Sequence, residues 1–329
     1  MKKLLFVLFS ILFITACSTD ELELETVTTP VVEQPVEQPV EPQEPEQPVE
    51  PTPTPIDYTQ PPTPAELAAL PEWTLIPDPA FEGVLIDRGL DNILDGKVLT
   101  SNISTITGYE SPDGTIMGQY SRMFEHKNIH DFTGIENFIG LQNISFWDNP
   151  ITTINLRNLK RLKLVCLSEC PMDTVDFSQN LELIEIALQG NSDRGNDPTY
   201  PWGKTLGFTS LDVSKNTKLE RLYLACNRIT NLDLSNNPNI TNLWAQYNPI
   251  QSLNLSNKSR LNVIVLNGCT ALNYLNIKGT ARNGVPRTCV TENTPNLFEI
   301  KVNNVAAINA WRAIYPGWYL KDPHTNYVE

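Results

Sequence analysis

The strongest regularity in the chain is an apolar pattern that returns every twenty-one residues. Leu219-x-x-Leu222-x-Leu224-x-x-Asn227-x-Ile229-x-x-Leu232-x-Leu234 is followed by Ile240-x-x-Leu243-x-Ala245-x-x-Asn248-x-Ile250-x-x-Leu253-x-Leu255, and then by Leu261-x-x-Ile264-x-Leu266-x-x-Cys269. The same frame starts upstream at Leu141, Leu162 and Leu183, and a shorter copy is Leu297-x-x-Ile300-x-Val302. The alternation inside LxL predicts one short strand per unit with its leucines pointing inward. A fixed period of this length predicts stacked coils, each burying its apolar face only against its neighbours. The second half of a unit, Leu232-x-Leu234-x-x-Asn237, copies the first. Twenty-one residues leave no room for a long helix, so both sides of each coil are expected to be extended.

The next inward position of the frame holds Asn149, Asn191, Asn227 and Asn248, with Cys170 and Cys269 in the same column. It falls where the chain turns, and a buried Asn side chain pairs backbone groups that a turn leaves over. This assigns both cysteines to the core. Two steps, Leu183 to Leu219 and Leu261 to Leu297, are 36 residues long, which places insertions near 192–206 and 278–292. Asp193 and Asp197 in the first are the only hint of a calcium role. Cys289 lies in the second.

The pattern LxxLxLxxN/CxL resembles the leucine-rich repeat family, and its shortness resembles the repeats of internalin-like bacterial surface proteins. The resemblance spans about 160 residues and implies a solenoid with a parallel β-sheet on the concave face, a mostly extended convex side with little helix, and a short helical N-terminal cap. Phe81, Val84 and Leu85 at helical spacing supply that cap, with Asp78 as N-cap and Pro79 at the first helical position. This helix and Asp131–Asn137 resemble the N-terminal cap and first repeat of flavobacterial leucine-rich lipoproteins. Trp311, Tyr315, Trp318 and Tyr319 are expected to close the other end.

Ahead of the array the pattern changes twice. Lys2 and Lys3 precede an apolar run from Leu4 to Ile14. The run is too short to span a bilayer, which takes about 20 residues, and reads as a signal peptide. Ile14-Thr15-Ala16-Cys17 resembles the lipobox of bacterial lipoproteins. That resemblance implies cleavage before Cys17 and lipid on its sulfur and new amino terminus. The acidic cluster Asp20-Glu21-Leu22-Glu23 resembles the export signal of surface lipoproteins of the Bacteroidetes. From 27 to 65 the chain is dominated by Pro, Glu, Gln, Val and Thr, which cannot build a core and favour a polyproline II spacer reaching about 100 Å. The expected division is a signal peptide at 1–16, a disordered acidic stalk at 17–72, a cap at 73–119, repeats at 120–304 and a C-terminal cap at 305–329.

Charge follows this division. Thirteen acids and no Lys or Arg lie between Ser18 and Leu75, so the formal −14 belongs mostly to the stalk and the array is near neutral. No basic face points to nucleic acid. The five cysteines after Cys17 are odd in number and lack a CxxC pair, which indicates neither a disulfide framework nor a zinc site. His126 and His130 lack the glutamate of an HExxH zinc motif. Asp91–Gly96 fails as a calcium loop because Ile93 and Asn102 stand at ligand positions. No Walker A, GxSxG or GxGxxG motif is present, so no enzyme and no cofactor are expected.

What remains is surface. The outward column of the strands reads Ser145, Cys166, Ala187, Tyr223, Trp244, Val265, Lys301, flanked by Trp147, Ser168, Gln189, Ala225, Gln246 and Asn267. Trp147, Tyr223, Trp244, Tyr247 and Gln246 are the candidate binding residues, because exposed aromatics on a rigid face are what interface hot spots use. The expected function is a lipid-anchored protein of the cell envelope, on the outer membrane and facing outward, that binds a protein partner. A glycan stacked on the same rings, or a scaffold role in an envelope complex, are the alternatives.

Overall fold

The computed structural model describes residues 56–108, 121–190 and 207–329. The signal peptide, Cys17, the stalk as far as residue 55 and the insertion at 192–206 lie outside the described residues. In chain order the elements are α1 (Pro64–Ala68), β1 (Trp73–Leu75), α2 (Pro79–Asp87), β2 (Lys97–Leu99), α3 (Thr100–Ile103), β3 (Asn143–Ser145), β4 (Leu164–Cys166), β5 (Glu185–Ala187), β6 (Arg221–Tyr223), β7 (Asn242–Trp244), β8 (Ser252–Asn254), β9 (Val263–Val265), β10 (Tyr274–Asn276), β11 (Thr288–Thr291), β12 (Glu299–Lys301), α4 (Val305–Ile314), β13 (Tyr319–Lys321) and β14 (Asn326–Val328).

The strands stack as a leucine-rich repeat solenoid. Eight pair in parallel in the order β3-β4-β5-β6-β7-β9-β11-β13, and four more, β8-β10-β12-β14, form a second parallel sheet. The second sheet is the copied half-motif made regular. Each coil from β7 onward carries one strand in each sheet. Between the sheets lies one continuous apolar core, in which Leu222, Leu224, Leu243, Ile264, Leu266 and Leu275 are fully buried.

The registers correct the reading of the C-terminal coils. Ile264 pairs with Cys289 and Val265 with Val290, so the supposed insertion at 278–292 contains β11, the next strand of the main sheet. That coil is 25 residues long, and no fifteen-residue loop stands out of it. Ile300 pairs with Leu275 in the second sheet, and Lys301 with Asn276, so Lys301 leaves the outward column of the main sheet. The two half-motifs look alike in leucines, and Leu297-x-x-Ile300-x-Val302 belongs to the second half. The true strand escaped the pattern because Cys289 and Thr291 stand at its inward positions. Beyond 304 the chain forms another coil: α4 follows β12, then β13 joins β11 and β14 joins β12.

The N-terminal cap is built on two carboxylates. Asp78 caps α2 by accepting from Ala80 N and Phe81 N, and its other oxygen accepts from His130 N (2.7 Å) and Asp131 N (3.0 Å). One side chain thus fixes the helix start and ties it to the first repeat. Glu82 is 2% exposed and accepts from Asp95 N, Gly96 N and Lys97 N, so the loop that resembled a calcium site wraps a carboxylate of its own chain. Phe81 packs against Phe124, Phe132 and Phe138 at ring distances of 5.0–5.9 Å.

Residues 56–72, expected to end the stalk, are folded onto the array. Arg161 is 1% exposed, and a buried guanidinium needs a partner. Glu66 supplies it with two hydrogen bonds of 2.8 and 2.9 Å, and Gln60 O accepts a third of 2.7 Å. Glu66 is held by α1, whose capping box joins Thr63 and Glu66. Burial raises the Glu66 carboxyl, but Arg161 and the Thr63 donors outweigh it and hold the group below its ordinary value. Proline-rich composition hid this element.

Asp78 gives a stability test. Burial raises its carboxyl, and the four backbone donors more than offset this, so its pKa lies below the ordinary 3.8. A carboxylate lowered by folding stabilises the fold above its unfolded pKa, and that contribution is lost as pH falls through the folded value. Asp78→Ala should therefore lower unfolding free energy at pH 7 by about 2–3 kcal/mol in urea titrations. The difference from wild type should shrink as the pH falls below 3.8.

Candidate functional site

Each coil leaves its strand through a sharp turn. The residue just before the inward Asn or Cys takes a left-handed backbone in coil after coil: Asp148 (φ 54°), Glu169 (58°), Cys226 (61°), Tyr247 (58°) and Gly268 (72°). For a side chain with a Cβ this costs roughly 1–2 kcal/mol. The next residue holds the turn. Asn227 Nδ2 donates to Leu188 O (2.6 Å) and Leu224 O (2.9 Å), and its Oδ1 accepts from Phe208 N (3.0 Å). Asn248 and Asn149 repeat the arrangement. Cys170 and Cys269 donate their thiols to Phe146 O and Ala245 O, each at 3.2 Å. Burial pushes these thiols up to about 12 and about 11, which keeps them protonated as donors. Asn180, Asn216 and Asn237 form a second ladder at the opposite turns.

This frame sets out the outward column in register: Ser145, Cys166, Ala187, Tyr223, Trp244, Val265, Val290. Over β3, β4 and β5, at the N-terminal end of the sheet, the column is a floor of small residues that gives way to the larger Tyr223 and Trp244. A groove of about 420 Å³ lies there, floored by Cys166, Ser168 and Ala187 and walled by Trp147 on one side and Tyr223 and Trp244 on the other. Adjacent strands are about 4.8 Å apart, so the three steps from β3 to β6 separate the walls by about 14 Å. Tyr223 and Trp244 meet edge to face, with centroids 5.7 Å apart and planes at 81°. Trp147 stands 4.8 Å from the His126 ring, and His126 Nδ1 lies 2.8 Å from Asp148 Oδ2.

Three of the five candidate residues therefore meet in one groove. The other two do not line it. Tyr247 is 52% exposed, but its left-handed backbone lays its ring against Gly268, where a Cβ would collide with it. Gln246 Oε1 and Trp147 Nε1 are both buried with no hydrogen-bond partner among the described residues. His126 and His130 diverge, because His130 is tied through its backbone to Asp78. Among the described residues no three His, Cys, Asp or Glu side chains gather to hold a metal.

Glutamates line the groove too, and sequence reasoning passed over them. Glu185, 1% exposed, pairs with Arg221 one strand away, and Glu125 and Glu169 stand beside the floor. Burial lowers the Arg221 guanidinium, but Glu185 outweighs it and holds the group above its ordinary value. Burial pushes the Tyr223 phenol up, and the Glu185 carboxylate adds to the shift. Burial likewise pushes the Cys166 thiol up, against hydrogen bonds from Ser168 and Ser145, with the Glu125 carboxylate adding to it. The phenol and the thiol are both neutral at pH 7. The Glu185–Arg221 pair was legible in the repeat frame, since the two occupy one column; Glu125 precedes the first complete repeat and has no place in the frame.

Solved structures similar to this chain include the functional domain of InlJ from Listeria monocytogenes (19% identity, 70% of this chain and 56% of that one, TM-score 0.32). Internalin C2 from the same organism matches at 15% identity over 70% of this chain and 97% of its own, with a TM-score of 0.34. A leucine-rich repeat protein of Leptospira interrogans matches at 14% over 60% and 62%, with a TM-score of 0.33. The chain spans little more than half the length of the InlJ domain. No protein-family model and no curated protein matches the chain. The chain's own strand registers, rather than these likenesses, establish the leucine-rich repeat solenoid.

Proposed function

We propose that the chain is an exported lipoprotein that binds another protein in the groove of its main sheet. The observation that carries this reading is the groove itself: Tyr223 and Trp244 on two adjacent strands, and Trp147 just beyond a third, around a floor of small residues. Aromatic rings supply large contact area with few rotamers to freeze, and they dominate measured interfaces. Trp244 is 38% exposed and lies beside Tyr223 in the same groove.

Attachment rests on the sequence alone. Lys2, Lys3, the apolar run to Ile14 and Ala16-Cys17 support lipid on Cys17, and Asp20–Glu23 supports display on the outer face of the outer membrane. Among the described residues no helix is long and apolar enough to cross a bilayer. A glycan stacked on Trp244 and Tyr223 is the second reading, favoured by the exposed indole face.

Two measurements test the proposal. With a photo-crosslinking phenylalanine at position 147, 223 or 244 in the producing cells, discrete protein adducts are expected. Positions 212 and 233, on the other side of the coils, should give none. Adducts from those two sites alone, or no protein adduct from the groove, would overturn the assignment. Cys17→Ala should move the chain from the membrane fraction to the soluble one; a variant that still sediments with membranes would remove the lipid anchor.

A further inference from the structure

The groove combines two features that select one kind of ligand. Its walls are aromatic, and a ring face attracts cations through its quadrupole. Its lining charges are unbalanced: Glu125, Glu169 and Glu185 against Arg122. Arg221 answers Glu185 directly. Glu125 is answered poorly. Its side chain is 9% exposed, while its partner Arg122 is 74% exposed and 3.6 Å away. An ion pair with one partner in solvent and at that distance contributes little. Glu125 and Glu185 line the same groove as Cys166 and Tyr223.

An anion entering this groove would meet the weakly paired carboxylate of Glu125. A neutral apolar side chain would bury Glu125 further without compensating it, which is costly. A cation with an alkyl stem meets neither objection. Its head offsets the carboxylates and lies on a ring face, and its stem covers the small floor residues.

We propose that the groove between Trp147 and the Tyr223–Trp244 corner takes the ammonium or guanidinium of a lysine or arginine side chain presented by a protein partner. This rests on the reading of the groove as a protein-binding site and names the chemistry of what enters it. Glu125 supplies the charge, Trp147 and the Tyr223–Trp244 corner supply rings at the two ends of the groove, one for the head and the other for the adjoining part of the partner, and Cys166 and Ala187 leave the space.

The test uses the full chain labelled with ¹⁵N, following the indole N–H signals of Trp147 and Trp244, assigned through Trp147→Phe and Trp244→Phe. The probes are blocked trilysine, blocked triarginine, blocked triglutamate and chitotriose. Trilysine and triarginine should shift these two signals in a saturable way, and triglutamate should not. Glu125→Gln keeps the shape and removes the charge, and should weaken trilysine binding about fivefold. Arg122→Gln, at a side chain 74% exposed, removes a competing cation and should tighten it about twofold. Shifts with chitotriose alone, equal shifts with triglutamate, or an unchanged trilysine affinity in both variants would overturn the cation assignment. Those outcomes leave protein binding in the groove standing, since it is read separately by crosslinking from positions 147, 223 and 244.

Discussion

Every coil of this solenoid must turn twice inside its own core, and each turn strands backbone carbonyls away from water. A buried carbonyl without a donor carries a desolvation cost of about 1–3 kcal/mol. The asparagine and cysteine columns meet that constraint. Asn227 reaches back to Leu188 O in the preceding coil and to Leu224 O in its own, so each side chain closes one turn and joins two coils. The same contacts offset the left-handed residue that precedes them. Strand spacing, the register of the outward column and the width of the groove all follow from coils held at this separation.

This explains which parts of the fold were legible. Leucine spacing and the Asn column express constraints that recur in every coil, so Leu222, Leu243 and Asn248 could be placed from periodicity. Cys170 and Cys269 could be placed as well, because a protonated thiol also donates to a carbonyl. The frame was misleading where two constraints have the same signature. Both half-motifs need an LxLxxN pattern, and a coil whose main strand uses Cys289 and Thr291 instead of leucines exposes only its second half to a pattern search. Periodicity alone therefore makes that coil look like an insertion and places Lys301 in the main sheet instead of the second. Residues 56–72 were hidden for another reason. Their order depends on one distant buried guanidinium, Arg161, and composition carries no trace of such a contact.

The site was legible to a similar degree. Periodicity named the rings that point outward, and Trp147, Tyr223 and Trp244 do converge. It missed that Tyr247, three residues beyond the end of β7, takes a left-handed backbone and folds onto Gly268. It also missed the acids, because Glu185 looks like ordinary solvated surface until its burial is known and Glu125 lies ahead of the repeat frame. Glu125 and Glu185 are nearly buried, and that distinguishes a groove that selects a charge from one that merely offers rings.

Amide hydrogen exchange on the wild-type chain and on Asn227→Ala tests the dependence of the groove on the ladder most directly. The amides of Leu188, Leu224 and Ala245 donate across coils to Tyr223 O, Trp244 O and Val265 O and should be among the slowest to exchange. Loss of the Asn227 side chain should accelerate Leu188 and Leu224 by about 30-fold or more, on both sides of the removed contact. Rapid exchange of these amides in the wild type, or protection that Asn227→Ala leaves unchanged, would contradict the account.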